Sequence, residues 1–155
     1  MIVRRFKDMA DVDHMISLGA EMHRESMYAD RPYMPAKLAA YGRQFLADPS
    51  KGVGILAEDD GVCHGIMAGW ALQNFYNDEL CARDMILYVR KEKRGGTTAM
   101  RMVKEFERWA KEVGAKEITI GISAAIDNDK ATRFYNALGY SHRGVTLSKE
   151  VCHHG

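Results

Sequence analysis

A short basic turn carries the residue types best suited to chemistry in this chain. Four cations fall within residues 90–94, and Gly-Gly-Thr-Thr-Ala follows at 95–99. An apolar run at 85–89 leads into the turn, and an amphipathic helical pattern follows it. The backbone N–H groups of such a turn, together with the N-terminus of the next helix, favour an anion. The spacing therefore predicts a phosphate-binding turn between a strand and a helix. It does not match a P-loop, because no Gly-Lys-Ser/Thr follows.

Composition limits the class of protein before any further motif is considered. The chain has 155 residues, of which 46% are hydrophobic, and this predicts a single domain over residues 1–155. A net charge of +1 disfavours non-specific attraction to nucleic acid or to a membrane surface. The longest apolar run, residues 65–72, is too short to span a bilayer. Three cysteines in no disulfide or zinc pattern indicate reduced thiols and a cytoplasmic protein.

Periodicity and turn signals predict an alternation of strands and helices. The predicted strands are residues 1–6, 54–58, 62–72, 82–89, 116–122 and 145–147, and the predicted helices are 11–25, one beginning at Pro35, one after the basic turn and one running to Leu138. Asp59-Asp60-Gly61 is the turn of a predicted hairpin. Gly114 and Gly139 are expected to end helices. This order predicts an α/β fold of the α+β type, a mixed sheet flanked by helices.

Two motifs of the chain resemble those of the GNAT superfamily of acyl-CoA-dependent N-acyltransferases. The family's Arg/Gln-x-x-Gly-x-Gly/Ala motif matches residues 94–99, with Thr97 in place of its middle glycine. The later family element, Asn-x-x-Ala-x-x-x-Tyr before a Gly-aromatic pair, matches Asn128, Ala131, Tyr135 and Gly139-Tyr140. The order of elements and the chain length also fit, so the resemblance covers nearly the whole chain and implies a GNAT-like acyltransferase fold.

The resemblance implies acetyl-CoA as the cofactor and a primary amine of a small molecule or a protein as the acceptor. The pyrophosphate would lie on the N–H groups of the turn, with Arg94 supplying charge. The exposed edge of strand 85–89 would pair with the pantetheine amides. The residues expected to contact the cofactor are Leu87, Tyr88, Val89, Arg94, Gly95, Gly96, Thr97, Thr98, Ala99, Asn128, Ala131 and Tyr135.

Direct acetyl transfer would require a base for the amine, a donor for the oxyanion and an acid for the leaving thiolate. An amine with a pKa of about 10.4 must lose a proton to react. Asp84, expected on the same strand face as Ile86 and Tyr88, is the predicted base; its competitors are Asp78, Glu79, Glu25, His64 and a water relay. A strand N–H near Leu87 is the expected oxyanion donor. Tyr135 matches the family tyrosine near the sulfur and is the predicted acid.

Other interpretations of the same residues stay open. The absence of an obvious base and the Thr97 departure also suit a non-catalytic acyl-CoA-binding or partner-binding module on the same scaffold. An enzyme that modifies RNA or a nucleoprotein is disfavoured by the near-neutral charge. A homodimer is an expectation by analogy with edge strands of such sheets. Cys152-His153-His154 is interpreted as a frayed tail rather than a metal site.

Overall fold

Five strands form one mixed sheet in the computed structural model, which describes residues 1–122 and 126–151. Their bounds are Ile2–Arg5 (β1), Gly52–Asp59 (β2), Val62–Gln73 (β3), Leu80–Val89 (β4) and Glu117–Thr119 (β5). The spatial order is β1-β2-β3-β4-β5, with antiparallel pairing up to β4 and a parallel pairing of β4 with β5. This order makes β1 and β5 the outer strands of the sheet.

Four helices in the described residues flank this sheet. They are Met9–Glu25 (α1), Pro35–Ala47 (α2), Thr98–Glu112 (α3) and Asn128–Ala137 (α4), and a 3₁₀ turn, Lys91–Lys93, precedes α3. Asp8 caps α1 by accepting a hydrogen bond from the Asp11 N–H, and Pro35 occupies the first turn of α2. Gly114 follows α3 with a φ of +82°, a conformation that favours glycine. No helix of the described residues is both long and apolar enough to cross a membrane.

The sheet separates two apolar clusters. The α1 and α2 face buries Val12, Met15, Leu18, Phe45, Leu56, Ile66 and Tyr88. The α3 and α4 face buries Ile55, Met67, Met102, Phe106, Trp109 and Tyr135. Both faces of β2 and β3 are therefore covered, which fits the nearly continuous burial of these two strands.

A buried ion pair fixes the start of α1 to the sheet. Asp11 is only 2% exposed and accepts two hydrogen bonds from the Arg4 guanidinium, both at 2.8 Å. It also accepts the Lys7 N–H at 2.8 Å, while Arg4 donates to Glu58 of β2 at 2.9 Å. Because every oxygen of Asp11 is bonded, the network holds α1 at a defined position over β1 and β2.

The predicted fold class is confirmed, but the predicted last strand is wrong. Residues 141–151 contain no regular secondary structure, and Val145 and Leu147 are 78% and 89% exposed. A β-prone triplet forms a strand only against a neighbouring strand and a packed surface, and this one has neither. The predicted strand at 116–122 is confirmed in part, since β5 ends at Thr119. Residues 152–154 lie outside the described part of the chain.

Candidate active site

A β-bulge in β4 opens one edge of that strand. Ala68 pairs with Ile86 and the next residue, Gly69, pairs with Asp84, so Met85 is an extra residue in β4. Before the bulge, β4 pairs with β5 from Cys81 to Arg83. Within the described residues the pairing continues no further, and the two strands separate. The edge of β4 from residue 84 to residue 89 therefore faces a gap.

The backbone of this open edge directs hydrogen-bonding groups into the gap. The Arg90 N–H donates to the His64 carbonyl of β3 at 2.9 Å. In an antiparallel strand, the N–H and C=O groups of one residue point to the same edge of the strand, and those of the next residue point to the opposite edge. Because the N–H of Arg90 points to β3, the backbone groups of Leu87 and Val89 point into the gap. The Val89 carbonyl confirms this direction by accepting the Arg94 Nε–H at 2.7 Å. The Leu87 N–H, the predicted oxyanion donor, therefore points into the gap.

A cavity of about 490 Å³ lies along this edge and collects most of the predicted site. The predicted residues that line it are Asp84, Leu87, Tyr88, Val89, Arg94, Gly95, Gly96, Ala99, Asn128, Ala131 and Tyr135. Thr97 and Thr98 do not line it; Thr98 is buried in the first turn of α3. Residues that sequence reasoning missed also line the cavity, among them Met22 of α1 and Lys93, Lys130 and Phe134. The sequence gives no signal that these residues line a cavity, because Met22 and Phe134 have the spacing of core residues and the two lysines are ordinary charged residues.

The turn before α3 has room for an anion. Gly95 has a φ of +88°, and a Cβ built at Gly95 or Gly96 would meet nothing within 4 Å. Thr97 occupies the N-cap position of α3 without a capping side-chain hydrogen bond, so the first N–H groups of the helix have no such partner. Thr97 has a φ of −92°, which a residue with a Cβ adopts without strain. The turn therefore fits a pyrophosphate, and it does not need glycine at position 97.

Arg94 is held in place by the protein. Its Nε–H donates to the Val89 carbonyl, its Nη2 donates to Glu25 at 2.9 Å, and its guanidinium lies over the Tyr88 ring at 5.2 Å. The Tyr88 hydroxyl also donates to Glu25, at 2.6 Å. Both oxygens of Glu25 are thus occupied, and this residue does not line the cavity. These contacts weigh against Glu25 as the base.

Asp84 lies on the other face of β4 from the one predicted. Ile86 and Tyr88 pack against α1 and α2. Asp84 pairs instead with Gly69, where a Cβ would approach the Phe106 ring of α3 to 2.6 Å. The bulge is the cause, because one extra residue shifts the alternation of side chains by one position. Asp84 accepts the N–H of Gly121 at 2.9 Å, and this contact links β4 to the segment after β5.

The environment of Asp84 suits a group that takes up a proton. Burial raises the pKa of Asp84 to about 6, although the hydrogen bond from the Gly121 N–H opposes that rise. The other candidates do not share this position, since Asp78, Glu79 and His64 do not line the cavity.

Tyr135 projects from α4 into the same cavity. It is 7% exposed and packs edge-on against Phe134 and Tyr140. Burial, and then the negative charge of Asp84, raise the pKa of Tyr135 above its usual value of 10, so its hydroxyl stays protonated at neutral pH. Asp127, rather than Asn128, caps α4 by accepting the Lys130 N–H at 3.2 Å. Asn128 is left to line the cavity.

The profile of the acetyltransferase (GNAT) family matches residues 17–140, which include the whole cavity. The chain belongs to the GNAT family. It is an acyl-CoA-dependent N-acetyltransferase and its cofactor is acetyl-CoA, so the family, the enzyme class and the cofactor predicted from the sequence are confirmed. No curated protein matches this GNAT chain by sequence.

Solved acetyltransferase structures share its fold. The structure of AAC(6')-Iy with a CoA bisubstrate analogue has a TM-score of 0.78 at 16% identity, covering 97% of this chain and 98% of the other. The glucosamine-6-phosphate N-acetyltransferase of Arabidopsis thaliana has a TM-score of 0.74 at 14% identity, covering 96% and 97%. The ribosomal-protein-alanine N-acetyltransferase of Brucella melitensis biovar Abortus 2308 has a TM-score of 0.70 at 14% identity, covering 97% and 100%. At these identities the likeness shows a shared GNAT fold.

Proposed function

We propose that this GNAT protein moves the acetyl group of acetyl-CoA directly to a primary amine of a small molecule or a protein. The observation that carries the proposal is one continuous cavity along the open edge of β4. It joins the glycine turn at residues 95–96 to the side chains of Asp84 and Tyr135. An anion site and an acid–base pair that line the same cavity suit a phosphorylated acyl donor and a proton-releasing acceptor.

The cofactor would be held by backbone groups more than by side chains. The N–H groups of residues 95–99 and the guanidinium of Arg94 would bind the pyrophosphate. The Leu87 C=O and the Val89 N–H would pair with the pantetheine amides, and Asn128 and Ala131 of α4 would cover the opposite side. When bound, acetyl-CoA supplies an acetyl thioester whose carbonyl carbon is the electrophile.

Asp84 would take the proton of the acceptor amine. At pH 7 an amine with a pKa of about 10.4 is charged, and reaching its free-base form costs roughly 4–5 kcal/mol. A carboxylate with a pKa of about 6 is ionised at this pH and is a stronger base than an ordinary aspartate. The rise in the pKa of Asp84 from 3.8 to about 6 lowers the free-energy cost of proton transfer from the amine to Asp84 by about 3 kcal/mol.

Tyr135 would supply a proton on the leaving-group side. Because burial keeps its hydroxyl protonated at neutral pH, it is a donor throughout the pH range in which Asp84 is an acceptor. The negative charge of Asp84 adds to this effect, so the two groups favour opposite protonation states. Asp84 of β4 would therefore accept the proton of the amine, and Tyr135 of α4 would donate a proton to the leaving thiolate.

Thiol release from acetyl-CoA with a panel of amines tests the proposal. Tyr135→Phe is expected to lower kcat by about 100-fold or more, since it removes the donor and keeps the ring. Tyr140→Phe is the matched control: Tyr140 packs against Tyr135, but its hydroxyl donates to Glu107 at 3.0 Å and it does not line the cavity. The control should keep kcat within about threefold of the wild-type value. Equal turnover of Tyr135→Phe and wild type would exclude Tyr135 as the acid.

Two further properties stay predictions. A cytoplasmic location is proposed from the cysteine spacing in the sequence, which matches no disulfide framework, and a homodimer from the analogy with edge strands. Light scattering of the purified protein measures the oligomeric state directly.

Thermal stabilisation by CoA without turnover of any amine would favour a non-catalytic CoA-binding module over an enzyme.

A further inference from the structure

Glu25, at the C-terminal end of α1, connects that helix to the cofactor end of β4. Its Oε1 accepts the Tyr88 hydroxyl at 2.6 Å, and its Oε2 accepts Arg94 Nη2 at 2.9 Å. Its side chain is only 17% exposed and does not line the cavity. Glu25 therefore acts on the site through the two residues that it binds.

Arg94 needs such a partner to present a fixed charge. A free arginine side chain loses considerable rotamer entropy when it binds a phosphate. Here the guanidinium is held by the Val89 carbonyl, by Glu25 and by the Tyr88 ring. Among the described residues, Nη1 has no hydrogen-bond partner, so one terminal nitrogen of Arg94 stays available, and Arg94 lines the cavity together with Gly95 and Gly96. The arrangement is that of a pre-oriented donor.

We propose that Glu25 is a positioning residue for the cofactor: it holds Arg94 and Tyr88 in the arrangement that receives the pyrophosphate. This inference rests on the proposed binding of acetyl-CoA at the turn. A carboxylate near a phosphate site also repels the phosphate, but the charge of Glu25 is already paired with Arg94. Charge repulsion at a solvent-accessible site is weak, whereas a pre-formed charge-assisted hydrogen bond is strong. The positioning effect therefore outweighs the repulsion.

The same contacts tie the cofactor turn to the other wall of the cavity. Met22, on the same turn of α1 as Glu25, lines the cavity next to β4. A turn filled by pyrophosphate would hold Arg94, Arg94 would hold Glu25, and α1 would be fixed against β4. The loss of Glu25 should thus act mainly on the affinity for the cofactor and little on the chemical step.

Glu21 provides a matched control one helical turn earlier. It pairs with Arg90 at 2.7 Å, and the side chains of Glu21 and Glu25 are 25% and 17% exposed. Both ion pairs therefore join α1 to the end of β4, but Arg90 does not line the cavity. If both glutamates only tether α1, replacing either one should change the affinity for CoA equally. If Glu25 positions Arg94, only its replacement should weaken CoA binding.

Calorimetric titration with CoA of wild type, E25A, E25Q and E21A tests the inference. E25A is expected to weaken CoA at least tenfold, which is about 1.4 kcal/mol. E25Q should lose less, since an amide oxygen still accepts a hydrogen bond from Arg94. E21A should stay within about twofold of wild type while its Tm falls as much as that of E25A. With any acceptor that is turned over, E25A should raise KM for acetyl-CoA at nearly constant kcat.

A donor without phosphates gives the sharpest comparison. Acetyl-pantetheine lacks the pyrophosphate, so E25A should leave its kcat/KM within about twofold of the wild-type value. Unchanged or tighter CoA binding by E25A, or equal losses in E25A and E21A, would overturn the inference. If E25A does not fold, CoA binding by E25Q equal to that of wild type would overturn it. Wild-type protein without affinity for CoA would overturn the proposed function as well.

Discussion

The burial of Asp84 links the stability of the protein to its activity. The pKa of Asp84 rises from 3.8 to about 6 because burial disfavours its charged form. The folded protein therefore binds this proton more tightly than the unfolded chain does. The contribution is fully present below about pH 4 and is lost as the pH rises through about 6. At 1.36 kcal/mol per unit, the ionised carboxylate lowers the free energy of unfolding at pH 7 by about 3 kcal/mol.

Asp84→Asn removes the charge and keeps an oxygen that can accept the Gly121 N–H. We expect the variant to be more stable than wild type by about 3 kcal/mol at pH 7 and by less than about 1 kcal/mol at pH 4. For a domain of this size, the gain at pH 7 corresponds to a rise in Tm of about 6–12 °C. Acetyl transfer should fall by about 100-fold, since the amide cannot take up the proton.

Urea unfolding at several pH values between 4 and 8 measures this difference, and Asp78→Asn is the control. Asp78 is exposed in the loop between β3 and β4, so its amide variant should follow the wild-type pH dependence. A gain in stability for Asp84→Asn that is the same at every pH would refute the argument from burial. A pH-dependent gain together with full activity would show that desolvation raises the pKa of Asp84 but that Asp84 is not the base.

Three further substitutions, one of them with a matched control, test other parts of the structure. Gly95→Ala places a Cβ on a residue with a φ of +88°, so it should lower the free energy of unfolding by about 1 kcal/mol and lower the affinity for CoA measured by calorimetry. Gly96→Ala is its control and should cost less stability, because Gly96 has no positive φ. Asp11→Ala leaves Arg4 without its buried partner and should lower the free energy of unfolding in urea by about 3 kcal/mol. Leu147→Ser, at a position that is 89% exposed, should change that free energy by less than about 0.5 kcal/mol. Losses for Leu147→Ser comparable to those for Asp11→Ala would show that the C-terminal segment packs on the domain.

Local signals in the sequence were sufficient for most elements of the fold. The Asp60-Gly61 turn has φ values of +48° and +76°, as expected for the hairpin that joins β2 and β3. Gly114 and Gly139 follow α3 and α4 with positive φ, as their positions after apolar periodic segments predicted. These features depend on the few residues around them, so a single sequence specifies them. The glycine turn before α3 also depends on the few residues around it.

Features that depend on distant residues could not be predicted in this way. Residues 85–89 are all apolar, so their pattern does not reveal that Met85 is an extra residue and that Asp84 faces α3. The pairing of Glu25 with Arg94 joins residues 69 positions apart, and two ordinary charges on a helix and a turn give no sign of it. The exposed course of residues 141–151 shows that the β-prone triplet Val145-Thr146-Leu147 finds no neighbouring strand, which no local pattern reveals.

One inserted residue in β4 accounts for why the proposed anion site and the proposed acid–base pair share a cavity. A regular strand would continue to pair with β5, and the groups of Leu87 and Val89 would be used up by the sheet. The bulge bends β4 away from β5, which frees that edge, and it also turns Asp84 toward α3 and the neighbouring α4. Asp84 then spans part of the separation through Gly121 and comes near Tyr135. The cavity and its catalytic candidates are thus consequences of one irregularity in the sheet rather than of separate features.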